Sequence, residues 1–319
     1  MALDAGAVAL PQGGRVLLLR PPEDVELPTG DVVAATGFKP VHDRLAARGV
    51  AVGPDPVPAD AAVVFLPRAK AMSRDLIAQA IDAVPEGAPV VVDGAKTDGA
   101  DAVLKLCRAI APVGEVFSKA HGKCFAFPAP ASAPPGWRAE ATGADGFATA
   151  PGTFSADGVD PGSRALADAM PPLSGAVCDL GAGWGYLAAR LLQSPAVASV
   201  DLVESEHAAL SCARRNVDDP RARFHWADAT TWDGGPYDAV VTNPPFHQGR
   251  AADPSLGRAF IDAATRILAP RGRLWMVANR HLPYEATLRD RFAEIVVHRD
   301  GGGYKIVEGS PKPNRGKRR

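Results

Sequence analysis

Only four cysteines occur in 319 residues, at Cys107, Cys124, Cys178 and Cys212, and none belongs to a Cys-x-x-Cys pair. That scarcity excludes a disulfide framework and a cysteine-based zinc site, and it predicts reduced thiols. Charge of one sign is also missing. Thirty-five Lys and Arg stand against 36 Asp and Glu, for a net charge of −1. Such a balance does not advertise a nucleic-acid partner, so any RNA contact must come from local patches. No apolar run approaches the ~20 residues of a membrane span. The first residues, Met1-Ala2-Leu3-Asp4-Ala5-Gly6-Ala7, lack a basic segment followed by an apolar core. No signal peptide is expected there, and the expected location is cytoplasmic, without a membrane partner. What is present is a hydrophobic fraction of 46%, enough for packed cores, over a length that suits two domains.

The most informative stretch is Tyr237-Asp238-Ala239-Val240-Val241-Thr242, which ends abruptly in Asn243-Pro244-Pro245-Phe246. A β-branched apolar run reads as a buried strand, and prolines end it because they cannot donate to a sheet ladder. At the tip remain an amide, rigid carbonyls and a ring. The Asn243 amide oxygen and the Pro244 carbonyl can both accept from an exocyclic NH2 group. The ring of Phe246 can stack on a base. A proline-rich turn after a core strand explains the same residues equally well, and the upstream sequence decides between the two.

Upstream, Ala176-Val177-Cys178-Asp179 leads into glycines at Gly181, Gly183 and Gly185, followed by a helical apolar pattern. Glycines allow a tight strand-to-helix turn and let a ligand approach the backbone. The next strand ends at Glu204, an acid placed to accept from two ribose hydroxyls. A third ends at Asp228 and Ala229, where the carboxylate suits an adenine edge or a helix N-cap. A lone glycine turn is weak, because dinucleotide enzymes share it. The order of glycine loop, ribose acid, adenine acid and Asn-Pro-Pro-Phe, each at a strand end, is specific.

Two halves are separated by Phe127-Pro128-Ala129-Pro130-Ala131-Ser132-Ala133-Pro134-Pro135-Gly136, read as an extended linker. The expected organisation is 1–128, a 129–136 linker, 137–310, and a basic tail 311–319. The second half alternates strands and helices, with a helix near 258–268, a strand at 273–278 and a terminal hairpin around 294–298 and 304–307. The first half reads as a worn copy. Ala61–Pro67 parallels Tyr237–Pro244, Pro89–Val92 parallels the following strand, and His121–Ala126 parallels Gly302–Val307. Its chemistry is gone. Arg15–Arg20 runs into Pro21-Pro22 without glycines, and Leu66-Pro67-Arg68 stands where Asn-Pro-Pro is expected. This half should not bind the cofactor. It either packs, or presents Arg68, Lys70 and Arg74 to RNA.

These motifs resemble those of class I S-adenosylmethionine-dependent methyltransferases. With the inactive tandem copy, the segment Thr149–Ser163 and the stretch Val277–Tyr284, the chain resembles the bacterial 16S ribosomal RNA guanine-N2 methyltransferases. The resemblance covers the whole second half by motif and the first by architecture alone. It implies an α/β protein of two tandem Rossmann-like domains. Each has a mostly parallel sheet with a reversed edge strand, and the first is degenerate. It further implies a monomer that transfers methyl from S-adenosylmethionine to a guanine N2 amine in ribosomal RNA or the small ribosomal subunit. The catalytic residues would be Asn243, Pro244, Pro245 and Phe246. The cofactor residues would be Asp179, Gly181, Gly183, Gly185, Glu204, Asp228 and Ala229, with no metal. His247 is either a proton relay or a structural partner at the turn. Lys312–Arg319 is either an RNA contact or a solvated terminus. Rival readings are methylation of large-subunit rRNA guanine, of protein glutamine N5 or of DNA adenine, a non-catalytic RNA-binding assembly factor, and, more remotely, a nicotinamide oxidoreductase.

Overall fold

Val16-Leu17-Leu18-Leu19 and Ala61–Phe65 are apolar at every position, so both faces of these strands need cover. A parallel sheet between helix layers supplies it. The computed structural model describes residues 10–312 apart from 12, 140–141, 246, 249–250, 253 and 281–282. Within it the chain divides into two compact units, one holding 10–139 and 150–152 and the other 142–149 and 153–312.

The first unit runs β1 (Arg15–Leu19), β2 (Asp31–Ala35), α1 (Lys39–Ala47), β3 (Ala51–Gly53), β4 (Ala61–Phe65) and α2 (Lys70–Ala83), then β5 (Pro89–Ala95), α3 (Ala100–Arg108), β6 (Phe117–Lys119) and β7 (Gly122–Pro128). Its sheet has the order β3-β2-β1-β4-β5-β7-β6. The first five neighbours are parallel, and β7 runs antiparallel to both β5 and β6. The period-2 alternation of strand side chains divides the core between two faces. Leu17, Leu19, Val64, Val92 and Phe125 pack with Leu76, Ile77 and Ile81 of α2. Val16, Leu18, Val63 and Val91 face the other way with Leu45 of α1. Residues 129–139 lie on this unit. Ala129 is buried and its N–H donates to the Ala88 carbonyl. Trp137 packs on the core, and the Ala139 N–H reaches Asp75. The prolines in this stretch give an extended path, and the buried partners anchor it.

The second unit opens on a hairpin of β8 (Thr142–Ala144) and β9 (Phe147–Thr149). It continues through α4 (Pro161–Ala169), β10 (Gly175–Leu180), α5 (Tyr186–Leu191), β11 (Val197–Glu204), α6 (His207–Asn216), β12 (Ala222–Trp226) and β13 (Tyr237–Thr242). A short pair, β14 (His247–Gln248) and β15 (Ala251–Ala252), precedes α7 (Pro254–Ile267), β16 (Leu268–Asn279), α8 (Glu285–Arg291), β17 (Phe292–Gly301) and β18 (Tyr304–Pro311). The sheet order is β12-β11-β10-β13-β16-β18-β17, the same as in the first unit. In each sheet the reversed strand lies one place in from the edge, because the last hairpin folds back and its second strand pairs inward. Helix α7 starts four residues earlier than the periodicity predicts, at Pro254, a residue whose fixed φ suits a first helical position. Phe260, Ile261 and Ala264 of α7 cover Cys178, Leu180, Val240 and Met276. Among the described residues no helix is long and apolar enough to cross a membrane.

Leu18 is fully buried between β1 and α1. Leu18→Ala should cost about 2–5 kcal/mol of stability in urea denaturation. A cost under ~1 kcal/mol would contradict this packing.

Candidate functional site

The strand ends carry the site, and hydrogen bonds between them set its geometry. Thr242 is fully buried, and its Oγ1 donates to the Leu180 carbonyl at 2.7 Å. This bond ties the end of β13 to the end of β10 and places Asn243 beside the glycine loop. The Asn243 Nδ2 donates to Asp160 Oδ2 at 3.0 Å and to Ser163 Oγ at 2.8 Å. A carboxylate only accepts, so it selects the amide nitrogen and leaves Oδ1 as the acceptor. Asp160 Oδ2 also accepts from the Ser163 N–H at 2.7 Å, which caps α4 with Pro161 in its first turn. Pro244 is buried and Pro245 is exposed. Phe246 and the side chain of His247 lie outside the described residues, as do residues 313–319 of the tail. Lys312 Nζ donates to the Asp290 carbonyl.

The glycines have distinct reasons. A Cβ at Gly181 would meet the Phe260 ring at 2.9 Å, and one at Gly185 would meet Val217 at 3.0 Å. At Gly183, with φ 56°, a Cβ would meet nothing within 4 Å, so this backbone borders open space. Its N–H donates to Glu204 Oε2 at 2.8 Å, while the Glu206 N–H donates to Oε1 at 2.7 Å. A carboxylate has about four lone-pair sites, so Glu204 keeps acceptor capacity. Burial pushes its carboxyl above the ordinary range, and the two backbone N–H groups oppose that rise.

Asp179 has no exposed surface and lies behind the loop. Its Oδ2 accepts from the Ala188 N–H at 3.0 Å, and Oδ1 has no partner. Burial raises its carboxyl to about 7, with Glu204 adding to the rise and the Ala188 N–H opposing it. Asp228 closes a turn rather than capping a helix, accepting from Thr230 N at 2.8 Å and Thr230 Oγ1 at 2.7 Å. Ala229 is buried against the core. The Ala227 N–H donates to the Glu204 carbonyl, which joins this turn to the end of β11.

A cleft lined by Phe154, Asp160, Ser163, Gly183, Trp184 and Asn243 therefore has the glycine loop on one side and the amide on the other. Gly181 also borders it, with Glu204 directly behind Gly183. The open backbone at Gly183 and the spare Glu204 lone pairs fit a cofactor that offers O–H donors.

Sequence reasoning missed Asp160, Ser163, Thr242, Asn216 and Trp184 as site builders. Asn216 clamps β9 to the loop, donating to the Ala148 and Trp184 carbonyls and accepting from the Ala148 N–H. Trp184 Nε1 donates to the Phe154 carbonyl, and its ring packs on Phe147 and Tyr186. The signal for Asp160 was legible as Asp-Pro-Gly-Ser, an N-cap followed by proline. Its bond to a residue 83 positions away was not.

A sheet of this order, with a glycine loop after its first strand, an acid after its second and Asn-Pro-Pro after its fourth, defines a class I methyltransferase unit. The methyltransferase small domain family matches residues 145–308, half of the chain. A ribosomal RNA small subunit methyltransferase C of Chromohalobacter salexigens is 34% identical over 286 residues, covering 85% of this chain and 82% of that protein. One of the same description from Shewanella sp. (strain MR-4) is 32% identical over 157 residues, covering 49% of this chain and 46% of that protein. In that alignment the chain spans about half the length of the curated relative it matches. The solved T. thermophilus 16S rRNA N2 G1207 methyltransferase (RsmC), in complex with AdoMet and guanosine, superposes with a TM-score of 0.81 at 25% identity. That match covers 96% of this chain and 90% of the other. The chain belongs to the methyltransferase small domain family and, within it, to the ribosomal RNA small subunit methyltransferase C family.

Asp179 gains protons on folding, since its carboxyl moves from 3.8 to about 7. Its contribution to stability is therefore complete below pH 3.8 and is lost as the pH rises through about 7. In thermal melts of the cofactor-free chain, Asp179→Asn should flatten the stability profile between about pH 4 and 7. Parallel profiles for the two proteins would remove Asp179 as the source.

Proposed function

We propose that this chain methylates the exocyclic N2 amine of a guanosine in small-subunit ribosomal RNA, with S-adenosylmethionine as donor. One observation carries the reading. The Asn243 amide nitrogen is held by Asp160 and Ser163, so its oxygen is presented as an acceptor beside an open glycine loop. The family and the T. thermophilus structure support the donor and the rRNA substrate.

S-adenosylmethionine in this site would supply a methyl group already activated by a sulfonium. The chain's own contribution is placement, and positioning alone accounts for a large share of such rate gains. Gly181 and Gly183 border the donor, with Gly185 setting the turn behind them. Glu204 would accept from its ribose hydroxyls, and the Asp228–Ala229 turn would hold the adenine edge. Asp179 acts from behind as a positioning residue for the loop and the start of α5. Asn243 Oδ1 and the Pro244 carbonyl accept from the two N–H groups of the guanine amine. Those bonds favour a pyramidal nitrogen whose lone pair faces the methyl group. No strong base is needed before attack, because the alkylated amine carries a positive charge, is acidic and can release its proton to solvent. Pro245 stiffens the turn, and Phe246 stacks on the ring of a base taken out of its helix or unpaired in its loop.

The first unit is a degenerate copy that does not bind the donor, and by strand register Phe65-Leu66, one residue before the Leu66-Pro67 read from the sequence, stand in place of Asn243-Pro244. The working form is a monomer in the cytoplasm. Four buried cysteines, none bridged, agree with a reducing compartment.

Asn243→Ala should abolish nearly all transfer of labelled methyl to rRNA or small subunits while cofactor binding by calorimetry persists. Full turnover in that variant would refute the role of the amide. Glu204→Ala should weaken cofactor binding by about 1–3 kcal/mol. Unchanged affinity would take Glu204 out of the site. Nucleoside analysis of the product should show N2-methylguanosine, and any other methylated nucleoside would overturn the substrate reading.

A further inference from the structure

The first unit repeats the second strand for strand, and hydrogen bonds fix which positions correspond. Arg20 N donates to the Ala35 carbonyl at 2.8 Å, as Gly181 N donates to the Val203 carbonyl at 2.9 Å. Both residues take left-handed backbone, with φ of 52° and 79°. Thr36 therefore stands at the place of Glu204, and Phe65 at that of Asn243. An arginine at the loop turn and a hydroxyl in place of the ribose acid remove the donor site.

The cleft itself persists. About 360 Å³ lies open between the ends of β1, β2, β4 and β5, within the ~300–1,000 Å³ typical of small-molecule sites. Arg20, Thr36, Phe38, Phe65, Asp93 and Asp98 line it. Asp93 is new chemistry rather than a remnant. It pairs in register with Phe65, one step beyond the Val64–Val92 pair that matches Thr242–Met276, so its counterpart in the second unit is the buried Val277. Among the described residues its carboxylate has no hydrogen-bond or ion-pair partner. Burial pushes its carboxyl up.

A half-buried carboxylate accepts on both oxygens, so its best flat partner offers two adjacent N–H donors. Among the common nucleobases only guanine has a ring N–H beside an exocyclic NH2 on one edge. The ring of Phe38 suits a base face, and the Arg20 guanidinium suits a phosphate. We propose that the first-unit cleft binds a guanine nucleotide, with Asp93 accepting from N1–H and N2–H, Phe38 against the base and Arg20 toward phosphate. The nucleotide is either an unpaired guanosine of RNA or free in solution. The proposal does not depend on methyl transfer by the second unit.

The test is equilibrium dialysis of radiolabelled GMP against the full chain carrying Asn243→Ala, which impairs the second-unit site. About one GMP per chain should remain bound, and AMP should not displace it. Adding Asp93→Asn should weaken binding on the order of tenfold or more. Loss of all GMP binding in Asn243→Ala alone, or equal binding with and without Asp93→Asn, would overturn the proposal. Should Asp93→Asn disturb folding, Phe38→Ala gives the second reading: weakened binding supports the site and unchanged binding overturns it. Displacement of GMP by a single-stranded, guanosine-containing RNA hexamer assigns the source to RNA, and no displacement assigns it to the free nucleotide. Labelled-methyl transfer by the chain carrying Asp93→Asn alone reports the second-unit reading separately.

Discussion

Asn243 can serve a nucleobase only if its amide faces one way, and the carboxylate of Asp160 decides which. An unrestrained amide can exchange its oxygen and nitrogen by a half-turn, converting an acceptor into a donor. Asp160 Oδ2 forbids the exchange, since only the nitrogen can donate to it. The same oxygen caps α4 through the Ser163 N–H. Helix start, amide and strand end thus form one connected unit, and the Thr242–Leu180 bond joins that unit to the glycine loop. Disturbing any of these bonds displaces the acceptor that the proposed chemistry needs.

The loop on the opposite side is built at an electrostatic cost. Asp179 and Glu204 both lie where burial disfavours their charged forms; Glu204 adds to the difficulty at Asp179, and Glu206 adds to that at Glu204. Backbone N–H groups of Ala188, Gly183 and Glu206 offset part of that cost. One Asp179 oxygen stays unsatisfied. The consequence is a rigid turn held from behind, with its open side at Gly183.

Strand identity was legible because parallel strands covered on both faces must be apolar throughout, and few other structures need Val-Leu-Leu-Leu or Ala-Val-Val-Phe. The positions of the glycines, Glu204 and Asn243 at strand ends were legible too, since glycine turns and Pro-Pro stop a strand where they stand. The layer that orients them was not. Asp160 with Asn243, Thr242 with Leu180 and Asn216 with Ala148 are bonds spanning 62 to 83 residues, and no local pattern records them. The extent of the first unit was obscured for a related reason. A Pro/Ala-rich stretch reads as linker by composition, yet the Ala129 N–H bonds to the distant Ala88 carbonyl and Trp137 packs on the core.

Strand order explains why two copies of one sheet can part company chemically. A doubly wound sheet opens a crevice wherever its strand order reverses, whatever residues stand there. The hydrogen bond from the residue after the first strand to the second strand is the same in both copies, and so is the left-handed turn it closes. Gly181 at that turn makes room for the Phe260 ring, whereas Arg20 puts a cation at the edge of the crevice. The crevice therefore outlasts the loss of the cofactor site. What changes is which charge faces it, and a carboxylate brought to the end of β5 gives the older architecture a different ligand to hold.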